Sequence, residues 1–157
     1  MENKTDSPGV YFPPPLLYVL AFLAAIFLQK KFPVDNSIFH LLTIKIVGIL
    51  FLFVSLLFSI TSLRQFFISK NTLVPIKPAS SLQTNGIYGI SRNPMYVGLA
   101  LVYLGISCFI GNWWNVILCP LLLLIVQEYI IKREEKYLLR RFGKEYDVYK
   151  TKVRRWL

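Results

Sequence analysis

The sequence predicts an all-α, polytopic membrane protein, and three observations support this fold class. Of the 157 residues, 55% are hydrophobic, and the mean hydropathy is +0.51, which is typical of membrane proteins rather than soluble domains. Four apolar stretches are long enough to cross a bilayer, because one helical crossing takes about 20 residues. The formal net charge is +10, and the basic residues lie mostly between these stretches, as is usual in membrane proteins.

Four predicted membrane helices and two further segments make up a single domain over residues 1–157. The helices are predicted near residues 12–29, 42–64, 94–111 and 113–142. Pro13-Pro14-Pro15 marks the beginning of the first, because proline is tolerated in the first helical turn but not in the interior. Gly98 and Gly105 allow the third helix to approach a neighbour closely in lipid. Pro120 predicts a kink in the fourth.

Residues 65–93 and 143–157 differ from the membrane helices in composition. The first segment combines prolines and Asn85-Gly86 with several aromatic residues, which indicates a structured cytosolic loop rather than disorder. From Lys132 onwards, apolar residues recur at spacings of three and four between basic residues, which predicts an amphipathic helix. Gly143 interrupts this pattern and predicts a break before a C-terminal helical tail.

The distribution of basic residues predicts the orientation in the membrane. With four crossings, both termini and the loop share one side, which carries 15 of the 18 lysine and arginine residues. Lys30, Lys31 and Lys45 lie on the other side. Because positively charged loops face the cytosol, we expect an integral membrane protein with both termini in the cytosol, located in a bacterial or archaeal inner membrane.

Composition and motifs argue against several functional classes. The basic residues fit membrane topology, so nucleic-acid binding is not predicted. Cys108 and Cys119 lie in apolar stretches without a CxxC spacing, which favours packing over a disulfide or a metal site. The sequence contains no metal-ligand cluster, no Ser/His/Asp set and no phosphate-binding glycine loop. Hydrolase and nucleotide-hydrolysing functions are therefore unsupported.

The first candidate motif is Arg92-Asn93-Pro94-Met95-Tyr96, at the predicted start of the third helix. One interpretation is structural: Asn93 caps the helix, Pro94 takes the first helical position and Arg92 reaches the headgroups. The other interpretation is functional, because a helix N-terminus exposes unpaired amides that bind an anionic group such as a carboxylate. The spacing leaves both interpretations open.

The second candidate motif is Glu134-Glu135. One interpretation is a solvated cluster that pairs with the neighbouring basic residues. However, Glu134 lies four residues before Leu138 on the apolar stripe, so one glutamate of the pair faces the apolar side. A carboxylate there requires a cationic partner, and either Arg92 or a bound cationic ligand would serve.

Residues 70–157 resemble a known family, because these two motifs and three others occur in the order that the family shows. The chain resembles the isoprenylcysteine carboxyl methyltransferases, which are membrane enzymes that use S-adenosylmethionine and are similar to the phospholipid methyltransferases. Each motif is short, and their order and spacing together make the resemblance specific. The matching elements are Thr84-Asn85-Gly86-Ile87-Tyr88, Arg92-Asn93-Pro94-Met95-Tyr96-Val97-Gly98, Glu134-Glu135-Lys136-Tyr137-Leu138, Phe142-Gly143-Lys144-Glu145-Tyr146 and Val153-Arg154-Arg155-Trp156.

The resemblance implies a binding site for S-adenosyl-L-methionine on the cytosolic side. The resemblance implies that the cofactor contacts the segment before the Gly-x-Tyr, the tyrosine itself, the Arg-Asn-Pro-x-Tyr element and the first glutamate of the pair, here Glu134. A glutamate suits the cations of this ligand, and a helix N-terminus suits its carboxylate. No metal ligand and no general base are predicted, because no histidine lies near the site. The candidate cofactor-binding residues are Ser80, Ser81, Leu82, Gln83, Tyr88, Arg92, Asn93, Pro94, Met95, Tyr96, Glu134 and Glu135.

The chain departs from the family pattern at two positions. Asn93 stands where eukaryotic members have histidine, but bacterial relatives often have asparagine there, so the predicted cofactor binding is unaffected. Ile130 stands where eukaryotic members place a substrate-contacting arginine, which argues against a prenylcysteine carboxylate.

The predicted function is therefore methyl transfer from cytosolic S-adenosylmethionine to an apolar, membrane-partitioned acceptor, either a prenylcysteine-like carboxylate, a lipid or a thiol. Membrane lipids are the expected surroundings. Two other classes stay open: a non-enzymatic membrane subunit or scaffold that retains the fold, and a reductase similar to the membrane sterol reductases.

Overall fold

The computed structural model describes residues 7–10, 12–68 and 81–157, and the regular structure in these ranges is entirely helical. Short 3₁₀ turns at Ser37–His40 and Gly86–Gly89 precede the second and third long helices. The α-helices are α1 (Pro14–Lys31), α2 (Leu42–Ile68), α3 (Pro94–Ile110), α4 (Trp113–Ile125), α5 (Lys132–Phe142) and α6 (Lys144–Lys152).

The predicted all-α membrane fold is confirmed. Three helical stretches in the described part of the chain are long and apolar enough to cross a membrane, namely Pro14–Lys31, Leu42–Gln65 and Trp113–Phe142. The third predicted crossing, near residues 94–111, corresponds to α3, which is apolar but has only 17 residues. At 1.5 Å per residue, α3 is about 25 Å long, a few ångströms short of a typical hydrocarbon core.

Small residues bring α2 and α3 into close contact. A Cβ atom at Gly48 would lie 2.9 Å from the Cβ atom of Cys108, and one at Gly105 would lie 2.8 Å from the side chain of Leu52. The Ser55 hydroxyl donates a hydrogen bond of 2.9 Å to the carbonyl of Gly98. Because lipid tails are as apolar as side chains, such close packing and hydrogen bonding replace the hydrophobic effect as the source of helix association.

The other half of the bundle consists of α1, α3 and α4 around a buried core. This core includes Tyr18, Tyr103, Cys119 and Leu122. Near the Lys31 end of α1, the Asn112 amide donates to the carbonyl of Ala25 over 3.0 Å. Both cysteines of the chain are free, in agreement with the packing role that the sequence predicts.

A π-helical turn joins α4 to α5. It spans Val126–Ile131, and the chain stays helical from Trp113 to Phe142. Pro120 lies inside α4, and the departure from α-helical hydrogen bonding follows it at this turn. Gly143, with φ of +51°, separates α5 from α6 at the predicted break. These elements place α6 and the last five residues of the chain beside the start of α3.

Candidate functional site

The start of α3 is held by the C-terminal segment of the chain. Arg92 donates its backbone N–H to the carbonyl of Arg154 over 3.0 Å. The Asn93 amide group donates to the carbonyl of Arg155 over 2.9 Å, and the hydroxyl of Ser91 accepts the Asn93 backbone N–H over 3.1 Å. The residues that precede α3 and the residues that end the chain therefore form one wall.

The structure corrects the predicted role of Asn93. Asn93 does stand at the N-cap position, and Pro94 takes the first helical position, but the Asn93 side chain makes no capping hydrogen bond. Its amide instead donates a hydrogen bond to the carbonyl of Arg155. The physical reason is that a carbonyl in a non-helical segment needs a hydrogen-bond donor when it is taken out of water.

Glu134 and Tyr96 form the closest side-chain pair of the site. The Tyr96 hydroxyl donates to Oε1 of Glu134 over 2.6 Å, a length typical of a hydrogen bond to a charged acceptor. Glu134 is partly buried, and none of the described lysine or arginine residues forms a salt bridge with it. Of the two cationic partners that the sequence leaves open for this glutamate, Arg92 does not pair with Glu134 in the structure.

Arg92 pairs with the other glutamate, Glu135. Its Nη2 atom lies 3.1 Å from Glu135 Oε1. Arg155 binds the same carboxylate with two nitrogens, Nε at 2.9 Å from Oε1 and Nη2 at 2.7 Å from Oε2. The two arginines satisfy Glu135, whose side chain is only 14% exposed. The adjacent carboxylates thus have different surroundings: Glu135 has two cations and Glu134 has a tyrosine hydroxyl.

Three buried tyrosines line the side of the site that faces α6. The Tyr149 hydroxyl donates to the backbone carbonyl of Tyr88 over 2.6 Å, and Nη1 of Arg92 donates to the Tyr146 hydroxyl over 3.4 Å. Burial raises the pKa of Tyr146 to about 12 and also raises the pKa values of Tyr88 and Tyr149. These hydroxyls are therefore protonated at neutral pH and do not act as bases; the Tyr149 hydroxyl is a donor, and the Tyr146 hydroxyl accepts from Arg92.

The candidate residues before the Gly86–Gly89 turn have fewer contacts with this cluster. Leu82 packs against Tyr146 and Tyr149. The Gln83 amide donates to the Ser81 hydroxyl over 2.8 Å and accepts from Gln65 of α2 over 3.1 Å. Ser80 lies outside the described residues. Met95 is half-buried between Pro94 and Tyr96.

Five of the predicted residues are therefore held in one cluster by direct contacts, namely Arg92, Asn93, Tyr96, Glu134 and Glu135. The backbone of a sixth, Tyr88, is bound to Tyr149 beside it. Their role in binding stays a prediction. Sequence reasoning missed the contributions of Arg155, Tyr146 and Tyr149. Arg155 and Tyr146 lie in two of the motifs that carry the family resemblance, but those motifs do not indicate that either residue contacts the Arg92 and Glu135 pair.

A comparison with protein families decides the class of this chain. A family model described as phospholipid methyltransferase matches residues 43–145, which is more than half of the chain. The chain belongs to this family. The matched range extends from the start of α2 to α6 and includes both candidate motifs. As a family member with apolar spanning helices, the chain is a membrane methyltransferase, and the scaffold and reductase alternatives are not supported.

Two relatives also match this methyltransferase. An uncharacterized protein of Haemophilus influenzae is 44% identical over 66 residues, which cover 40% of this chain and all of the relative. The protein-S-isoprenylcysteine O-methyltransferase of Schizosaccharomyces pombe is 39% identical over 72 residues, which cover 46% of this chain and 30% of the relative. The second match thus spans less than a third of that enzyme. No solved structure matches the chain.

Proposed function

We propose that this methyltransferase takes its methyl group from S-adenosylmethionine, bound between the start of α3 and the start of α5, and transfers it to an apolar acceptor from the membrane. Family membership supports the reaction class. The single observation that carries the donor site is the unequal pairing of Glu134 and Glu135.

Glu134 is the group we assign to the cationic part of the donor. S-Adenosylmethionine carries an ammonium and a sulfonium, and both favour an anionic neighbour. A partly buried carboxylate without a cation is unfavourable unless a ligand provides one. Glu135 does not meet this description, since Arg92 and Arg155 already neutralise it. The Tyr96 hydroxyl holds Glu134 in place.

Arg92 is the group we assign to the carboxylate of the donor. Its side chain is only 9% exposed, and its Nε atom is a buried donor without a hydrogen-bond partner in the described part of the chain. A guanidinium donor is a strong partner for a carboxylate. The positive end of the α3 dipole, which begins at Pro94, favours the same negative charge. The site therefore offers an anionic group and a cationic group to a zwitterionic ligand.

The chain's own task in the reaction is to align the reactants and exclude water. When bound, S-adenosylmethionine would supply an electrophilic methyl carbon for attack by an electron pair of the acceptor, with S-adenosylhomocysteine as the leaving group. Correct alignment of two bound reactants lowers the barrier substantially, and a dry site strengthens the interactions of Glu134 and Arg92. A carboxylate or thiolate acceptor needs no base, and the only histidine, His40, lies beyond the far ends of α1 and α3.

A groove between α3 and α4 supports an apolar acceptor. Its volume is about 520 Å³, and it extends from Val97, next to Tyr96, to Pro120 in the middle of α4. Aliphatic side chains dominate the lining, which suits an acyl or isoprenoid chain. The lining residues are Val97, Ala100, Leu101, Pro120, Leu123, Leu124, Gln127, Trp156 and Leu157.

Two measurements on the purified full-length chain test this function. Calorimetric titration with S-adenosylhomocysteine, the product of the donor, should give saturable binding at one site, and its absence would contradict the proposed donor. A labelled-methyl transfer assay against membrane lipid extract, prenylcysteine analogues and small water-soluble thiols tests the acceptor. Label should enter an organic-soluble product, and exclusive labelling of the water-soluble thiols would contradict an apolar acceptor.

A further inference from the structure

We propose that the outward surface of α5, α6 and the C-terminal segment binds the headgroups of anionic phospholipids. This surface, called the basic surface below, contains eight exposed basic residues and only two exposed acidic residues. The basic residues are Lys132, Arg133, Lys136, Arg140, Lys144, Lys150, Lys152 and Arg154; the acidic residues are Glu145 and Asp147.

The imbalance of charge arises because the acidic residues of α5 point the other way. Glu134 and Glu135 are directed into the candidate donor site, so they do not offset the cations on the outside. Of the two outward acids, Asp147 pairs with Lys150 over 2.9 Å. Glu128, which lies just before the surface, pairs with Lys132 over 2.6 Å. The basic surface therefore has a strong net positive charge and complements a negatively charged partner.

The length of the helix places this surface at the edge of the bilayer. The helical stretch from Trp113 to Phe142 has 30 residues and is about 45 Å long, whereas the hydrocarbon core is about 30 Å thick. Starting from the tryptophans at its first turn, about 20 residues of helix reach Lys132. The basic surface therefore begins at the depth where lipid headgroups replace acyl chains.

Exposed aliphatic residues among the cations favour a lipid surface over a soluble polyanion. Leu139 and Val148 are 37% and 53% exposed, and both lie between basic residues of the surface along the chain. Cations interleaved with apolar side chains are typical of segments that lie in the membrane interface. Clusters of basic residues beside a membrane helix attract anionic lipids.

The two faces of α6 can be tested separately. Its inward face carries Tyr146 and Tyr149, which contact Arg92 and the Tyr88 backbone. Its outward face carries Lys144 and Lys152, which are exposed. Substitution of the outward lysines therefore removes positive charge without changing a residue that we place in the donor site.

The test uses the full-length chain in nanodiscs of phosphatidylcholine with a minor fraction of phosphatidylglycerol. Association of spin-labelled phosphatidylglycerol and phosphatidylcholine is measured for each variant over a salt series. The test variant carries Lys136→Gln, Lys144→Gln and Lys152→Gln. The control carries Lys30→Gln and Lys31→Gln, which remove two exposed lysines at the end of α1, on the other side of the bundle from the basic surface.

The unchanged chain should prefer phosphatidylglycerol by about fivefold or more at low salt, and the preference should weaken as salt screens it. The triple variant should lose most of this preference, and the control should keep it. No preference in the unchanged chain, or an equal preference in the triple variant, would overturn the proposal. So would displacement of phosphatidylglycerol by a soluble acidic peptide at lower concentration. The salt series uses the unchanged chain, so the proposal can still be refuted if the triple variant fails to fold.

Discussion

Adjacent carboxylates at Glu134 and Glu135 differ in their partners, and this difference predicts different consequences of substitution. Glu134→Gln preserves an oxygen that accepts the Tyr96 hydroxyl but removes the charge that we assign to the donor's cation. We expect the affinity for S-adenosylhomocysteine, whose ammonium remains, to fall by about tenfold or more, since a hydrogen bond to a charged group contributes about 1.5–3 kcal/mol. Calorimetric titration measures the change. Glu145→Gln, an exposed glutamate on α6, is the control, and equal affinities of the two variants would refute the assignment.

Arg155 provides a second prediction at the scale of single residues. Arg155→Ala removes both nitrogens that bind Glu135 and leaves that carboxylate with Arg92 alone. We expect unfolding to require about 1–2 kcal/mol less free energy, because a largely buried charge loses half of its partners. Arg154→Ala is a matched control, since Arg154 is exposed and contributes to the site through its backbone carbonyl. Its effect should stay within about 0.5 kcal/mol. Thermal unfolding in detergent measures both, and similar losses would show that Arg155 acts only as a surface charge.

Single residues also mark the limit of what the sequence predicts about the site. The two motifs and their proximity could be inferred from helix phase and charge distribution, and Arg92, Tyr96, Glu134 and Glu135 do meet. The partners within the motifs could not be inferred. The helical phase of α5 does not determine which carboxylate pairs with Arg92. The pairing also depends on Arg155, which binds Glu135 from 20 residues further along the chain. For the same reason Asn93 predicted a helix cap but binds the C-terminal segment instead.

At the scale of elements, the close contact between α2 and α3 depends on glycine residues. A Cβ atom at Gly48 would lie 2.9 Å from the Cβ of Cys108 and 3.2 Å from a backbone carbonyl, so neither neighbour can move aside easily. We expect Gly48→Leu to lower the free energy of unfolding by about 1–3 kcal/mol or more through overpacking. The neighbouring substitution Ile49→Leu, on a side chain that is 56% exposed, should have little effect. Unfolding in mixed detergent micelles compares them, and equal stability would contradict the close contact.

The π-helical turn at Val126–Ile131 leads to a prediction about the orientation of α5. Such turns contain one residue more than regular α-helix and are frequent at functional sites. Deletion of Glu128 restores the regular repeat and rotates everything after it by about 100°, which moves Glu134 away from Tyr96. We expect this variant to stay folded but to lose measurable binding of S-adenosylhomocysteine. Glu128→Ala removes the same exposed side chain without the rotation and should bind normally. Normal binding by the deletion variant would show that the turn does not set the position of Glu134.

The helices of the chain were more predictable than their rotations. Apolar runs and prolines were sufficient to predict the existence and order of α1 to α4. Within an apolar run, however, residues that face lipid and residues that face protein are equally hydrophobic, so the 3.6-residue period is weak. The sequence therefore carried no signal for the π turn, in which Val126, Ile130 and Ile131 are all buried. In α5, where basic residues alternate with apolar ones, the period was readable and placed Glu134 on the inward face, where it contacts Tyr96.

At the scale of the whole molecule, the arrangement of charge predicts the side of the membrane on which the methyl donor binds. The candidate donor site and the basic surface lie at one end of the bundle, and Lys30, Lys31 and Lys45 lie at the other. Because positive residues remain in the cytosol during insertion, we expect the C-terminus, and with it the donor site, to face the compartment where soluble donors are available. In a bacterial host, a fluorescent protein fused after Leu157 should fluoresce and alkaline phosphatase fused there should be inactive. Phosphatase inserted at Asn36, between α1 and α2, should be active. The reverse pattern would place the donor site outside the cytosol and would contradict both the orientation and the proposed supply of donor.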